Sequence, residues 1–161
     1  MQAAFLEHIN KNKALIYKVC HTYERNDELR RDLFQEIILN LWKAFPSYKA
    51  TAKWTTWAYR IAINVAITQR RKPTITTDEW SDNFEKTLSD TPYDYTTEER
   101  LEALHKAIDQ LNGAEKALIL LYLDDISYAE IAEIIGISEN NVGVKINRIK
   151  SKLKSILQYH G

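Results

Sequence analysis

The residues best suited to a chemical task lie between Asn140 and Lys154, where Asn140, Asn141, Asn147 and Arg148 alternate with Lys145, Lys150, Lys152 and Lys154 and no acid intervenes. Asn and Arg side chains hydrogen-bond to base edges, and Lys neutralises phosphate. A helix turns about 100° per residue, so Val142, Ile146, Ile149 and Leu153 share one narrow sector that must pack on the rest of the protein. The opposite sector holds Asn140, Asn141, Val144, Asn147, Arg148 and Ser151, flanked by the lysines. A dry inner face, an amide-rich outer face and basic flanks suit insertion into the major groove of DNA. Val144 is the exception in that row, and its apolar tip suits a thymine methyl.

Such a helix needs a second element to hold it. Ser127 and Glu130 have capping-box spacing ahead of a short helix, Tyr128 to Ile135, whose Ile131, Ile134 and Ile135 face inward and whose Ala129 and Ala132 permit close approach. Gly136 supplies the left-handed exit, Ile137 plugs the corner and Ser138 is placed to cap the next helix. The segment is a helix-turn-helix.

Other chemistries find little footing. There is no phosphate-binding glycine loop or nucleophile elbow, and His8, His21, His105 and His160 are scattered rather than set at metal-ligand spacing. Asp32 and Glu36 share a helical face without a partner base. Cys20, the single cysteine, sits among Ile16, Val19 and Tyr23 as a small core residue. The expectation is a protein that is not an enzyme and takes no cofactor or metal.

A chain of 161 residues, 45% hydrophobic and 27% charged, is globular in composition and matches one average domain or two small ones. Its longest apolar run, Ala117 to Leu123, falls far short of the roughly 20 residues of a membrane span. Glu7, His8, Asn10 and Lys11 stand where a secretory signal needs its apolar run, which points to the cytoplasm. The net charge is zero, yet the charges are sorted. Residues 1–72 carry 13 bases against 6 acids, residues 73–99 carry 1 against 8, residues 100–139 carry 3 against 8, and residues 140–161 carry 5 against none. Two basic surfaces separated by acidic sequence would attract one polyanion at two places through local Coulomb attraction and counterion release.

Periodicity reads as helix almost throughout, with only four Gly and three Pro. One helix is expected over residues 3–23, with Phe5, Ile9, Ile16, Tyr17, Cys20 and Tyr23 inward. A second runs from Leu29 to Phe45 and has two apolar stripes, Leu33-Ile37-Leu41-Phe45 and Phe34-Ile38-Trp42, before Pro46 ends it. A third, Thr55 to Arg71, turns Ala58, Ile61, Ala62, Val65 and Ala66 inward and stops at Pro73. Residues 73–96 have the Thr, Asp and Glu content of a tether, although Trp80, Phe84 and Leu88 could form a docked turn of helix. Thr96 and Glu99 make a further capping box, ahead of Leu101, Leu104, Ile108 and Leu111, and Asn112 and Gly113 close that helix before another from Glu115 to Leu123. The fold class is all-α: two small helical domains, 1–72 and 97–161, joined by an acidic linker.

In this order and spacing the motifs resemble bacterial sigma factors of the extracytoplasmic-function type, in the sigma-70 family. DLFQEIILNLWKAF, Asp32 to Phe45, looks like the region that docks on the clamp helices of RNA polymerase; WTTWAYRIAIN, Trp54 to Asn64, with Gln69, Arg70 and Arg71, looks like the segment that melts and holds the minus-ten element; Tyr128 to Leu153 is similar to the region that reads the minus-thirty-five element. The resemblance implies a promoter-specificity subunit whose partners are core polymerase, at its clamp and flap, promoter DNA and an anti-sigma factor. It places polymerase contacts at Asp32, Gln35, Glu36, Leu39 and Asn40. Minus-ten contacts fall at Tyr48, Lys49, Lys53, Trp54, Arg60, Asn64, Arg70 and Arg71, with an aromatic platform for unpaired bases and a flipped-base pocket between Ser47 and Thr55. Minus-thirty-five contacts fall at Ser138, Asn140, Asn141, Val144, Lys145, Asn147, Arg148 and Lys152. Trp57 and Tyr59 read as packing residues, and the acidic linker would thread a basic channel of the polymerase. Asn141, Gly143 and Val144 depart from the family's usual residues, so the promoter sequence does not carry over; Gly143 suggests close approach to DNA or to a neighbour. The alternative is a stand-alone helix-turn-helix regulator that never meets polymerase.

Overall fold

Asn12 divides what the apolar spacing presents as one helix. Its side-chain amide donates to the His8 carbonyl at 2.9 Å, and its backbone leaves the helical region, so Gln2–Lys11 (α1) and Lys13–Tyr23 (α2) are separate rods. Phe5 and Ile9 of α1 and Leu15, Ile16, Val19 and Cys20 of α2 are all buried, while Tyr17 points outward and stacks on Phe34. The computed structural model describes residues 2–49, 53–71 and 97–158, with backbone alone for 70, 71 and 158.

Asn26 caps the third helix, Asp27–Ala44 (α3), by accepting from the Leu29 amide at 3.0 Å. Its first stripe, Leu33, Ile37 and Leu41, is buried; of the second, Phe34 and Ile38 are half-buried and Trp42 is exposed. A single 3₁₀ turn, Phe45–Ser47, carries Pro46 and turns the chain toward Trp54–Arg71 (α4). Here the expected inward sector is incomplete. Ala58, Ala62 and Ala66 are buried, Ile61 and Val65 only in part, and the buried sector extends past Ala66 to Tyr59 and Ile63, both almost fully buried. Helix α4 is covered on two sides, by α2 and α3 on one and by the C-terminal helices on the other.

The C-terminal half comprises Thr97–Asp109 (α5), Gly113–Leu123 (α6), Tyr128–Ile135 (α7) and Glu139–Gln158 (α8). Ala107, Ile108 and Leu111 anchor α5, whereas Leu101, expected inward, is exposed on its first turn. Thr96, which would complete the capping box with Glu99, lies outside the described residues, as do the linker and its Trp80, Phe84 and Leu88. Asn112 opens α6 rather than closing α5: its side chain accepts from the Glu115 amide at 2.8 Å while Glu115 accepts from the Asn112 amide at 3.0 Å. Asp125, at φ 58°, turns the chain between α6 and α7 in the left-handed region, which Asp tolerates better than most residues.

The two halves share one continuous core. The Tyr59 hydroxyl donates to Asp124 at 2.5 Å, the Tyr23 hydroxyl donates to the Gly113 carbonyl at 2.6 Å, and Lys18 pairs with Asp124. Gly113 lies so close to Ile67 that a Cβ there would sit 3.4 Å from its side chain. Arg25 reaches Glu102 and Asp109 at 3.1 and 3.5 Å. Among the described residues there is no strand, and no helix is long and apolar enough to cross a membrane.

Candidate nucleic-acid interface

Helix α8 has the geometry its sequence predicts. Val142, Ile146, Ile149 and Leu153 are buried, and Asn140, Asn141, Val144, Asn147, Arg148 and Ser151 are exposed along the opposite side. Ser138 caps it by accepting from the Asn141 amide at 3.1 Å. Gly136, at φ 86°, makes the left-handed exit from α7, with its amide donating to the Ala132 carbonyl. Ile131 and Ile134 are buried and Ile135 and Ile137 half-buried; Ala129, expected at a close approach, is exposed. Gly143 meets a protein neighbour: an added Cβ would rest 3.5 Å from the Tyr128 ring.

The basic flanks are less uniform. Lys145 and Lys154 are exposed. The Lys150 ammonium sits 4.2 Å from the centre of the Tyr122 ring, which raises its pKa chiefly through a hydrogen bond to that side chain. Lys152, expected on phosphate, pairs with the capping-box carboxylate of Glu115 at 3.1 Å and is half-buried. Its position at the edge of the inner face places it against α6 instead of on the outer row. An N-x-x-E pattern at Asn112 to Glu115 is the signal that would have located both the cap and this partner.

The proposed minus-ten residues are arranged differently from expectation. Trp54 is 8% exposed. Its ring stacks on His8 at 4.4 Å and packs against Trp57 at 4.9 Å and Tyr48 at 5.6 Å, and its indole N–H finds no acceptor among the described residues. One face is thus stacked on His8, and tilted and edge contacts with Trp57, Tyr48 and Phe45 set Trp54 inside an aromatic cluster. The hydrophobic cost of exposing so large a ring is what draws it in. Tyr48 is half-buried in the same cluster, while Lys49 and Asn64 are exposed. Lys53 pairs with Glu130 of α7 at 2.9 Å, and that hydrogen bond, followed by the charge of Glu130, raises its pKa. Glu130 therefore does not close the capping box: Ser127 accepts from the Glu130 amide at 3.2 Å, but the carboxylate points to Lys53. The Arg60 guanidinium donates to the Glu133 carbonyl of α7. Arg70 and Arg71 belong to the last turn of α4, and their side chains lie outside the described residues.

On α3, Asp32, Gln35, Glu36, Leu39 and Asn40 fall on one side of the helix. Asp32, Gln35 and Leu39 are exposed, and Asn40 donates to the Glu36 carbonyl at 2.8 Å and to its carboxylate at 3.3 Å. Leu39 is 44% exposed and Trp42 39%, so this side presents apolar area beside its acids. Among the described residues no three His, Cys, Asp or Glu side chains gather as metal ligands.

A capped helix behind a glycine turn, with an exposed outer row that carries no acid, defines the class as a helix-turn-helix DNA-binding protein. Comparison with known proteins extends this over both halves. The model of sigma-70 region 2 matches residues 8–74 and that of sigma-70 region 4 matches residues 101–153. The ECF RNA polymerase sigma-E factor of Escherichia coli K12 is 30% identical over 139 residues, covering 79% of this chain and 73% of that protein. ECF RNA polymerase sigma factor SigW of Bacillus subtilis is 27% identical over 169 residues, covering 98% and 90%. Two solved structures share the fold at 18% identity: the sigma factor RpoE in complex with the anti-sigma factor NepR from Bartonella quintana (TM-score 0.74, 96% of this chain and 97% of that one) and CnrH in complex with the cytosolic domain of CnrY (0.68, 98% and 90%). The chain belongs to the sigma-70 family as an ECF RNA polymerase sigma factor.

Proposed function

We propose that the chain directs core RNA polymerase to promoters by gripping DNA at two places. Residues 97–161 act as the upstream module. Asn140, Asn141, Asn147 and Arg148 read base edges of a minus-thirty-five element, Val144 meets a thymine methyl, and Lys145 with Ser138 fixes the register on phosphate. Residues 1–72 act as the downstream module, in which Tyr48, Lys49, Lys53, Arg60, Asn64, Arg70 and Arg71 hold the opened minus-ten strand. Trp54 supports that surface from beneath. Residues 73–96 link the two. The Asp32-to-Asn40 side of α3 docks on the polymerase clamp, its acids facing basic groups and Leu39 and Trp42 supplying apolar area. The upstream module also meets the flap, and an anti-sigma factor holds the protein in reserve.

The observation that carries this reading is the α8 outer row, exposed throughout and without an acid while the inner row is dry. The test is retention of the chain on immobilised core polymerase, followed by run-off sequencing on genomic DNA. Transcripts sharing a start-site motif are expected. A chain that binds DNA but not core polymerase would return the protein to the stand-alone regulators.

A further inference from the structure

Two of the four lysines that flank the outer row of α8 are turned back onto α6. The Lys150 ammonium donates to the Tyr122 side chain and sits 4.2 Å from the centre of its ring. The Lys152 ammonium donates to both carboxylate oxygens of Glu115, at 3.1 and 3.4 Å. At about 100° per residue the two lysines lie on opposite flanks of the buried row Val142, Ile146, Ile149 and Leu153. Their partners lie two turns apart on one side of α6, Glu115 in its first turn and Tyr122 near its end. Glu115 is itself fixed, because its carboxylate also accepts from the Asn112 amide at 3.0 Å. Helix α8 therefore straddles α6 with one lysine reaching down on each side. Apolar attraction along the inner row is non-directional and tolerates a small roll of α8 about its axis. Each lysine contact is lengthened by roll in one sense, so the pair opposes both.

We propose that Lys150 and Lys152 are positioning residues of DNA reading: they fix the roll of α8, and with it which outer-row side chains meet base edges, without touching DNA themselves. The inference rests on the reader role proposed for α8 and adds what aims it. Outer-row side chains stand about 6 Å from the helix axis, so a roll of about 20° carries their tips about 2 Å, enough to break a hydrogen bond of about 2.9 Å. Exposed lysine contacts contribute little to stability. They need not contribute more here, because they choose among rolls that the inner row packs almost equally well. Base readout suffers first when they are lost, since hydrogen-bond geometry is strict while attraction to phosphate falls off slowly with distance.

The experiment uses the full chain without polymerase. A duplex preferred by the unaltered chain is selected from a randomised pool, and affinity for it and for its scrambled counterpart is measured at several salt concentrations. Lys150→Met with Lys152→Met is expected to lower the preference about fivefold, the low end of one lost base contact, and to change the salt slope by less than about half a unit. Tyr122→Phe with Glu115→Gln removes no cation and keeps a side chain suited to the cap of α6, and it should lower the preference likewise. Lys150→Arg with Lys152→Arg can keep both contacts and should retain the preference. Helix content and melting temperature accompany each titration, and the Tyr122→Phe, Glu115→Gln variant carries the test if the methionine variant does not fold. A slope reduced by about one unit per lysine with the preference kept would make the two lysines phosphate contacts and overturn the proposal. So would an unchanged preference in the Tyr122→Phe, Glu115→Gln variant. No preference in the unaltered chain would remove the reader role of α8 and this inference with it, whereas failure to bind core polymerase would touch neither.

Discussion

The Tyr59 hydroxyl and the Asp124 carboxylate, 65 residues apart in the chain, meet at 2.5 Å and join the two halves of the molecule. Neither residue stands out in the sequence. Tyr59 lies at the edge of the buried alanine row of α4, beside Ala66, and Asp124 is the residue after α6. Removing the hydroxyl leaves the carboxylate with Lys18 alone. Tyr59→Phe is therefore expected to cost about 1 kcal/mol, a net hydrogen bond to a charged group offset by retained packing of the ring. Thermal denaturation should register this as a fall of about 2 to 4 °C.

Two glycines of the helix-turn-helix should respond with opposite signs. Gly143 is helical, and an added methyl would meet only ordinary contact with Tyr128 at 3.5 Å. Gly143→Ala should thus stabilise by about 0.5 to 1 kcal/mol through helix propensity. Gly136 sits at φ 86° with open space around it, so Gly136→Ala should destabilise by about 1 kcal/mol from backbone strain alone. Denaturant midpoints of the two variants, measured side by side, check the pair.

Alkaline pH should weaken the fold. Burial lifts the Cys20 thiol from an ordinary value of 9.0 to about 11, and burial, then the Asp124 hydrogen bond, raises the Tyr59 phenol further above its usual range. In the folded chain both groups keep protons that the unfolded chain releases. The stabilisation is complete below the unfolded values and is lost as pH rises from about 9 toward the folded ones. Melting temperatures across that interval should fall, and less steeply for Cys20→Ala. At neutral pH the folded thiol should resist alkylation until denaturant is added.

Much of the fold was legible because it depends on local patterning. The turn at Gly136, the cap at Ser138 and the two faces of α8 follow from residue types at fixed offsets, and the structure reproduces them. The break at Asn12 was not, since a single back-bonding amide interrupts an apolar period that otherwise continues. The burial of Tyr59 and Ile63 was hidden for a different reason. The expected stripe marks a narrow buried face, and on α4 that face is widened by a half of the chain distant in sequence, which packs where Tyr59 lies. The same packing gave Lys53 and Arg60 protein partners, whereas Trp54 is drawn in by rings of its own half, His8, Phe45, Tyr48 and Trp57, and Lys152 pairs with Glu115 of the neighbouring α6. Local spacing shows which residues could contact a phosphate, and long-range packing decides which already have a carboxylate.

The exposed basic residues of α8 should dominate the salt response of duplex binding. Replacing Lys145 with Ala should reduce the slope of log affinity against log salt by about 1, and replacing Arg148 should cost about 1 to 3 kcal/mol and relax specificity at the base it reads. Lys152→Ala should change the slope less, because Lys152 is paired with Glu115 at 3.1 Å. Titrations at several salt concentrations separate the two cases.

The proposed role requires two grips on one DNA under a larger enzyme. It is tested most directly by footprinting a promoter bound by core polymerase and this chain, combining cleavage protection with permanganate reactivity of unpaired thymines. The expected result is an upstream protected segment that Lys145→Ala with Arg148→Ala removes, and a downstream reactive segment that Lys53→Ala with Arg60→Ala suppresses while upstream protection remains. A single protected segment, unaltered by the second pair of changes and never accompanied by reactive thymines, would contradict it.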